Sequence, residues 1–427
     1  MAHGEAAIAA RRRPDDDDAN KSKKEPESMS TQTLARPQAR STIRIIDADT
    51  HLTEPHDMWI KRAPAAIRDR VPQVKMLNGV RSWVIDGDKS IGTGAHPNSS
   101  VLRQGGKVRD LDTFLKLQFE DVHAGSSNVK ERLKVMDEAG IHAQIVYPNI
   151  LGFGGQASAK VDPELRLATV KIYNDAMAEL QEESGQRLFP MALLPWWDVK
   201  EAVRETERCA AMGLRGININ SDPHTVRGDD GEFIPDLGTE HWFPLYELCN
   251  DRNIPINFHI GASETAIDWM GQQGWPSLPY DLRSGISGAM IFFNNGKTVS
   301  NLIYSGILDR FKNLKFVSVE SGIGWVPFLM EALDYQLAEI AETKGFEKKP
   351  SEYFRSNFYA CFWFEKKDIS DMLHKVGVDN CLFETDFPHP TSLYPIDNLE
   401  ERLSSLTQED RAKVLSLNAA KLYNIAV

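Results

Sequence analysis

Eight short apolar runs alternating with amphipathic stretches constrain this chain more than any other feature. The runs are 43–51, 143–149, 189–196, 215–220, 255–261, 315–322, 358–364 and 381–388. They are rich in Val, Ile and Phe and bounded by turn residues or charges, as parallel strands buried on both faces are. Residues 128–140, 164–185, 198–213, 239–253, 298–311, 326–345, 366–377 and 407–423 read as helices. In the first of these, Leu133, Met136 and Ala139 fall at helical spacing and Gly140 closes the helix; Asp198 and Thr239 stand where N-caps belong. Strict alternation of this kind predicts an α/β fold, a (β/α)₈ TIM barrel. A doubly wound open sheet alternates in the same way, but its first strand normally leads into a glycine-rich phosphate loop. Here the first run leads into Thr50-His-Leu-Thr-Glu54 instead.

Two connections are long, 52–127 after the first run and 262–297 after the fifth. Both leave C-terminal strand ends, so both are expected to overhang the face where barrel enzymes work, as lids or substrate walls. Residues 1–41 carry Arg11-Arg12-Arg13 and then Asp15 to Asp18, with no apolar stretch behind the basic residues. They read as a disordered tail rather than a secretory signal, leaving 42–427 as a single barrel domain. A net charge of −12 argues against a nucleic-acid binder, and no apolar run approaches membrane-spanning length. The cysteines, Cys209, Cys249, Cys361 and Cys381, form no Cys-x-x-Cys pair. That speaks against a structural zinc site and fits a reducing, cytoplasmic setting. Cys361 and Cys381 fall in apolar runs and read as small buried residues.

Titratable side chains stand at the ends of the apolar runs. The first reads Ile45-Ile46-Asp47-Ala48-Asp49-Thr50-His51, so Asp47, Asp49 and His51 are spaced by two along one strand face. The fifth carries His259 and the sixth Glu320, and the eighth carries Glu384 and Asp386 on one face with His389 just beyond. An ionised group at the end of a buried strand is costly unless its desolvation is compensated. Alone, His259 is most simply a hydrogen-bonded core histidine, and Asp47 or Glu384 could bind backbone amides. Four strand ends offering His, Asp or Glu to one barrel mouth require a cation, best a divalent metal.

With these residues in view, the chain resembles the amidohydrolase superfamily, in particular the amidohydrolase-related branch that includes aminocarboxymuconate semialdehyde decarboxylase and resorcylate decarboxylase. The resemblance runs from about Ile43 to the C-terminus. It rests on Asp47-Ala-Asp-Thr-His-Leu-Thr-Glu-Pro55, Arg132-Leu-Lys-Val-Met-Asp-Glu-Ala-Gly-Ile141, Phe258-His-Ile-Gly261, Glu320-Ser-Gly-Ile-Gly-Trp325 and Glu384-Thr-Asp-Phe-Pro-His389, in that order. It implies a divalent metal held by His51, His259 and Asp386. The family usually places a histidine where this chain has Asp49, and often another where it has Glu320. A carboxylate in the first position also occurs in the decarboxylase branch. Glu320 could bind a metal, bridge two, or orient another ligand, and Glu54 is a further candidate ligand. Exchanging imidazole for hard oxygen donors moves preference from zinc towards manganese or iron, and admits one ion or two.

The expected activity is metal-dependent hydrolysis or decarboxylation of a small aromatic or carboxylated molecule. Asp386 would bind the metal and act as general acid and base, with His389 assisting it or holding substrate. Arg283, in the connection after the fifth run, would clamp a substrate carboxylate. Trp196, Trp197, Trp269, Trp275 and Trp325 lie at or beyond strand ends and suggest an aromatic pocket, with Trp196 and Trp325 contacting substrate. Two alternatives belong to other classes: a non-haem di-iron monooxygenase on the same ligands, and a catalytically inactive barrel that serves as a binding protein. The expected partners are a small-molecule substrate and further copies of the chain, as a homodimer or higher homo-oligomer, with neither nucleic acid nor membrane.

Overall fold

In the computed structural model, the described residues are 43–91, 94–263, 265, 275–340, 345–365 and 367–427. The expected tail and Trp269 lie outside them. Strands β1 (Ile45–His51), β2 (Ile141–Tyr147) and β3 (Leu188–Pro190) form one parallel sheet. Strands β4 (Ala192–Leu193), β5 (Ile217–Asn218), β6 (Ile256–His259), β7 (Phe316–Val319), β8 (Phe358–Phe362) and β9 (Cys381–Phe383) form a second, in sequence order. Every expected apolar run contributes to a strand. The expected single barrel sheet is, however, divided at two seams. At the first, one run of chain is shared between the sheets: β3 pairs with β2, β4 pairs with β5, and Met191 N donates to Val146 O at 2.9 Å. At the second, the loop beyond β9, rather than the strand itself, meets β1. Asp386 N donates to Asp49 O at 2.9 Å and His51 N to Phe387 O at 2.8 Å.

Side chains reinforce the second seam. The Asp47 carboxylate accepts from Thr385 N at 2.8 Å, Thr385 Oγ1 at 2.6 Å and Gln144 Nε2 at 3.0 Å. Gln144 Oε1 in turn accepts from Arg132 Nη1 at 3.1 Å. The same guanidinium donates to Gly125 O at 2.6 Å and to the carbonyl of His51, and lies 4.5 Å from the Phe387 ring centroid. Asp47 therefore does not join Asp49 and His51 on one face. The register of β1 against β2 shifts between Asp47 and Thr50, and such an irregularity re-aims the side chains around it.

Local signals set the helices. In α1 (Val129–Ala139), Asn128 caps Glu131 N at 3.1 Å and Gly140 closes the helix in the left-handed region, φ 73°. Asp162 and Pro163 start α2 (Pro163–Glu183), and Asp198 caps α3 (Val199–Ala211). Thr239 does not cap through its side chain; its hydroxyl donates to Asp236 O, and a 3₁₀ turn leads into α4 (Phe243–Arg252). The run expected at 298–311 starts earlier, as α6 (Asn294–Tyr304), preceded by α5 (Tyr280–Ile291). No helix among the described residues is long and apolar enough to cross a membrane. All four cysteines are buried and free.

Ile46, Ala48, Ala143, Ile145, Val317 and Val319 alternate along their strands and pack with Leu422, Tyr423 and Ile425 in one buried cluster. Tyr423 Oη reaches Asn257 Oδ1 at 2.7 Å, two residues before His259, so the C-terminal segment underpins the strand end that matters most. The connection 52–127 carries a small antiparallel sheet (Gln73–Leu77, Val80–Ile85, Lys89–Ser90). It lies against the loop after β9: Ser100 N donates to Pro388 O at 2.9 Å and Ser100 Oγ to His389 O at 2.8 Å.

Asp47 is thus a structural tie. Replacing it by Ala leaves Thr385 N and Gln144 Nε2 buried without partners and should destabilise the fold by about 3 kcal/mol or more, at roughly 1–3 kcal/mol per unsatisfied group. Asp47→Asn, which keeps an acceptor oxygen, should lose less. Urea denaturation of both variants measures the difference; equal losses would show that hydrogen bonding at Asp47 is not what holds the seam.

Candidate metal centre

Strand ends and the turns beyond them bring Asp49, His51, His259, Glu320, Asp386 and His389 together. Asp49, His51, His259 and Glu320 form one group, and His51, Glu320, Asp386 and His389 a second, with ligand atoms inside each group all within 4.8 Å of one another. His51 Nε2 lies 3.2 Å from His259 Nε2, 3.5 Å from Asp49 Oδ1 and 3.6 Å from Asp386 Oδ1. His259 Nε2 lies 3.5 Å from Asp49 Oδ2 and 3.4 Å from Glu320 Oε2. All of these residues are buried.

The backbone aims each group. His51 Nδ1 faces Pro148 O at 3.3 Å and His259 Nδ1 faces Ile260 O at 2.7 Å. A carbonyl at Nδ1 holds the ring proton there and leaves the Nε2 lone pair free for a cation. Glu320 and Asp386 both adopt left-handed backbone, φ 52° and 55°. That conformation costs a non-glycine residue roughly 1–2 kcal/mol, and it lets the chain turn off the strand while the carboxylate stays in the cluster. Thr391 Oγ1 links the two, lying 3.2 Å from Glu320 Oε1 and hydrogen-bonded to Asp386 Oδ2. His389 places Nδ1 2.9 Å from Asp386 Oδ1, bonds Asn149 Oδ1 through Nε2 at 2.9 Å, and stacks on His51 with ring centroids 3.8 Å apart. Phe153 lies over the imidazoles, 4.2 Å from His259 and 5.1 Å from His51 by ring centroids. Its neighbour Gly154 allows this approach: a Cβ there would sit 2.6 Å from Ala262 O and 2.9 Å from Asn220 Cα.

Burial dominates the electrostatics. It raises the carboxyl groups of Asp49, Glu320 and Asp386 well above their ordinary range; Asp386 further raises Glu320, and Asp49 further raises Asp386. It lowers the imidazoles of His51 and His259, and that of His389 to about 4. Neither oxygen of Asp49 has a hydrogen-bond partner among the described residues. Three converging carboxylates, two of which share Thr391 as a donor, faced by imidazoles with free lone pairs, lack a positive charge at their centre, and one bound cation satisfies both. The residues present therefore fit a divalent metal ion, in a site richer in oxygen than nitrogen.

Other expected residues fall elsewhere. Glu54 is buried outside the cluster, where Oε1 accepts from Asn149 N at 2.8 Å and Ile150 N at 3.2 Å. It thereby holds the loop whose Asn149 holds His389. Trp196 is fully enclosed in the core, edge-on to Trp197. Trp325 is 8% exposed, with Nε1 donating to Ser321 O at 3.0 Å, whereas Trp275 is 54% exposed. Arg283 lies half-buried in the first turn of α5. Thr391, Asn149 and Phe153 escaped the sequence reading. Phe153 and Thr391 come from loops with no apolar periodicity and Asn149 closes the run 143–149 without a titratable group to mark it; only Thr391, five residues after Asp386, lay near a residue already singled out.

Residues 46–425 match the family model described as Amidohydrolase. Gamma-resorcylate decarboxylase of Polaromonas sp. strain JS666 is 27% identical over 307 residues, covering 69% of this chain and 86% of its own length. In fold, the chain is similar to an amidohydrolase from Mycobacterium avium subsp. paratuberculosis K-10, with a TM-score of 0.71 and 22% identity over 90% of this chain and 100% of that one. It is also similar to a dihydroxybenzoic acid decarboxylase from Polaromonas sp. JS666, solved with bound manganese and the inhibitor 2-nitroresorcinol, with a TM-score of 0.56 and 21% identity over 90% and 98%. Neither the oxygenase nor the inactive-barrel alternative draws support from these relatives. The family match spans almost all of the described chain, and the residues at its strand ends form a site of the kind the resemblance implies: the chain belongs to the amidohydrolase family.

Proposed function

We propose that the chain is a metal-dependent decarboxylase of hydroxylated aromatic acids. The observation that carries this reading is the enclosed cluster of Asp49, His51, His259, Glu320, Asp386 and His389, in a chain related to a resorcylate decarboxylase. On this reading the two sheets are parts of one (β/α)₈ barrel in a single domain, 42–427. The backbone hydrogen bonds across both seams support that closure.

Asp49, His51, His259 and Asp386 would hold the ion, with Glu320 as a further ligand or as a bridge to a second ion. A bound divalent ion supplies Lewis acidity at the substrate's oxygen atoms. The donor set favours manganese or iron over zinc, in line with the manganese bound by the Polaromonas enzyme. Phe153 presents an apolar face beside the imidazoles and excludes water from a bound ring. Asp386 delivers a proton to the ring carbon that bears the carboxylate. The bond to the carboxylate carbon then breaks, its electron pair restores the aromatic ring, and carbon dioxide leaves. Asp386 is left ionised 2.9 Å from His389 Nδ1, and His389, steadied by Asn149, relays a second proton from water to it. Arg283, in the connection after β6, would pair with a second anionic group on the substrate.

Elemental analysis of the purified protein should find a divalent ion, and the double variant Asp49→Ala with His259→Ala should lose it. Full metal content in that variant would place the ion elsewhere. For the chemistry, 2,6-dihydroxybenzoate turned over in D₂O should release carbon dioxide and give a phenol carrying one deuterium at the vacated carbon. Asp386→Asn should lower kcat by about 10²- to 10⁴-fold. Turnover without release of carbon dioxide would overturn the decarboxylase reading.

A further inference from the structure

Helix α6 begins beside the metal centre. Asn295 Nδ2 lies 3.3 Å from Phe258 O, 3.2 Å from Val319 O and 3.1 Å from Ser318 Oγ. The first turn of α6 is thus tied to the residues immediately before His259 and Glu320. The preceding residue, Asn294, has no exposed surface, and neither its Oδ1 nor its Nδ2 has a hydrogen-bond partner among the described residues. A buried carboxamide left unpaired is destabilising, so it calls for an explanation.

Positions 294, 297, 298 and 301 share one face of the helix. Lys297 Nζ lies 3.3 Å from Asp222 Oδ2 and Asn301 Nδ2 lies 2.9 Å from Asp236 Oδ1, so that face lies against the connection after β5. That connection reaches the metal centre as well. Ser221 N donates to Ala262 O at 3.1 Å, and Ala262 N donates to His259 O at 3.0 Å. Asn220 Nδ2, Ser221 Oγ and Thr298 Oγ1 are also buried without partners. Unpaired polar atoms therefore stand on two facing elements, one tied to Phe258 and Val319 and the other, through Ala262, to His259.

Resting on the decarboxylase reading, we infer that Asn294 is a specificity-determining residue that reads an oxygen substituent on the substrate ring. Its carboxamide donates to a phenolate oxygen, or accepts from a phenol hydroxyl, with Ser221 and Thr298 completing the polar wall. The nearby Asp222 carboxylate does not oppose this, because its Oδ2 is engaged by Lys297 and Thr265.

Asn294→Leu keeps the approximate size of the side chain and removes its polar atoms. In the free protein its thermal midpoint should equal or exceed that of the wild type, because an unpaired amide is gone. The manganese-loaded variant should bind 2-nitroresorcinol about 10- to 100-fold more weakly than the wild type, while benzoate, which lacks ring hydroxyls, should bind equally to both. A lower midpoint with unchanged 2-nitroresorcinol affinity would assign Asn294 a structural role and overturn the inference. If leucine proves too bulky to fold, Asn294→Ser serves instead: selective weakening of 2-nitroresorcinol supports the inference, and equal weakening of both probes overturns it. A metal-loaded wild type that binds neither probe would overturn the decarboxylase reading and the aromatic ligand with it. Unchanged affinity in the variant against a binding wild type overturns only the role of Asn294.

Discussion

Carboxylates removed from water must find either hydrogen-bond donors or a cation, and the rest of this structure is arranged around that requirement. Desolvating each ion costs several kcal/mol even after relaxation. Asp49, Glu320 and Asp386 face one another with imidazoles between them, and the fold fixes these groups through the backbone rather than by pairing them off. Carbonyls at Nδ1 orient His51 and His259, and left-handed residues at two turns aim Glu320 and Asp386. Such a site is shaped before anything enters it, so little reorganisation accompanies binding.

The same requirement has a second solution two residues away. Asp47 and Asp49 are both fully buried on β1. Asp47 is saturated with donors from Thr385 and Gln144, whereas Asp49 has none. The first is part of the frame and the second of the candidate site, and the strand face and the number of donors tell them apart. Arg132 joins the two through the His51 carbonyl and Gln144, so the frame and the ligand strand are held by one guanidinium.

Much of this was legible in the sequence, because strand positions and strand-end polarity are local properties. His259 and Glu320 could be placed from the ends of their runs alone. The division of the sheets was not legible: the run 189–196 gives only short pieces of ladder on either side of Met191, and hydrogen-bond partners are not encoded by hydrophobicity. Glu54 shows the limit for carboxylates. It is the same kind of residue as Asp49 and close to it in sequence, but the loop after β1 directs it to backbone amides at Asn149 and Ile150. Trp196 shows the limit for aromatics, since a strand-end tryptophan can as easily turn into the core as towards a ligand. Phe153 reaches the imidazoles only because Gly154 lets two loops come together, a steric condition that no periodicity reveals.

The hydrogen bonds from Thr385 to Asp47 join residues 338 positions apart. The residues of the candidate site follow the same separation, with Asp49 and His51 near the start of the described chain and Asp386 and His389 near its end. A polypeptide emerging from the ribosome therefore carries the first carboxylates long before their partners exist. No nascent intermediate holds the whole candidate set, so on the proposed reading ion capture belongs to the last stage of biogenesis, when the final turn docks against the first strand. Until then the growing chain offers the cell's metal pool only partial, weaker sites.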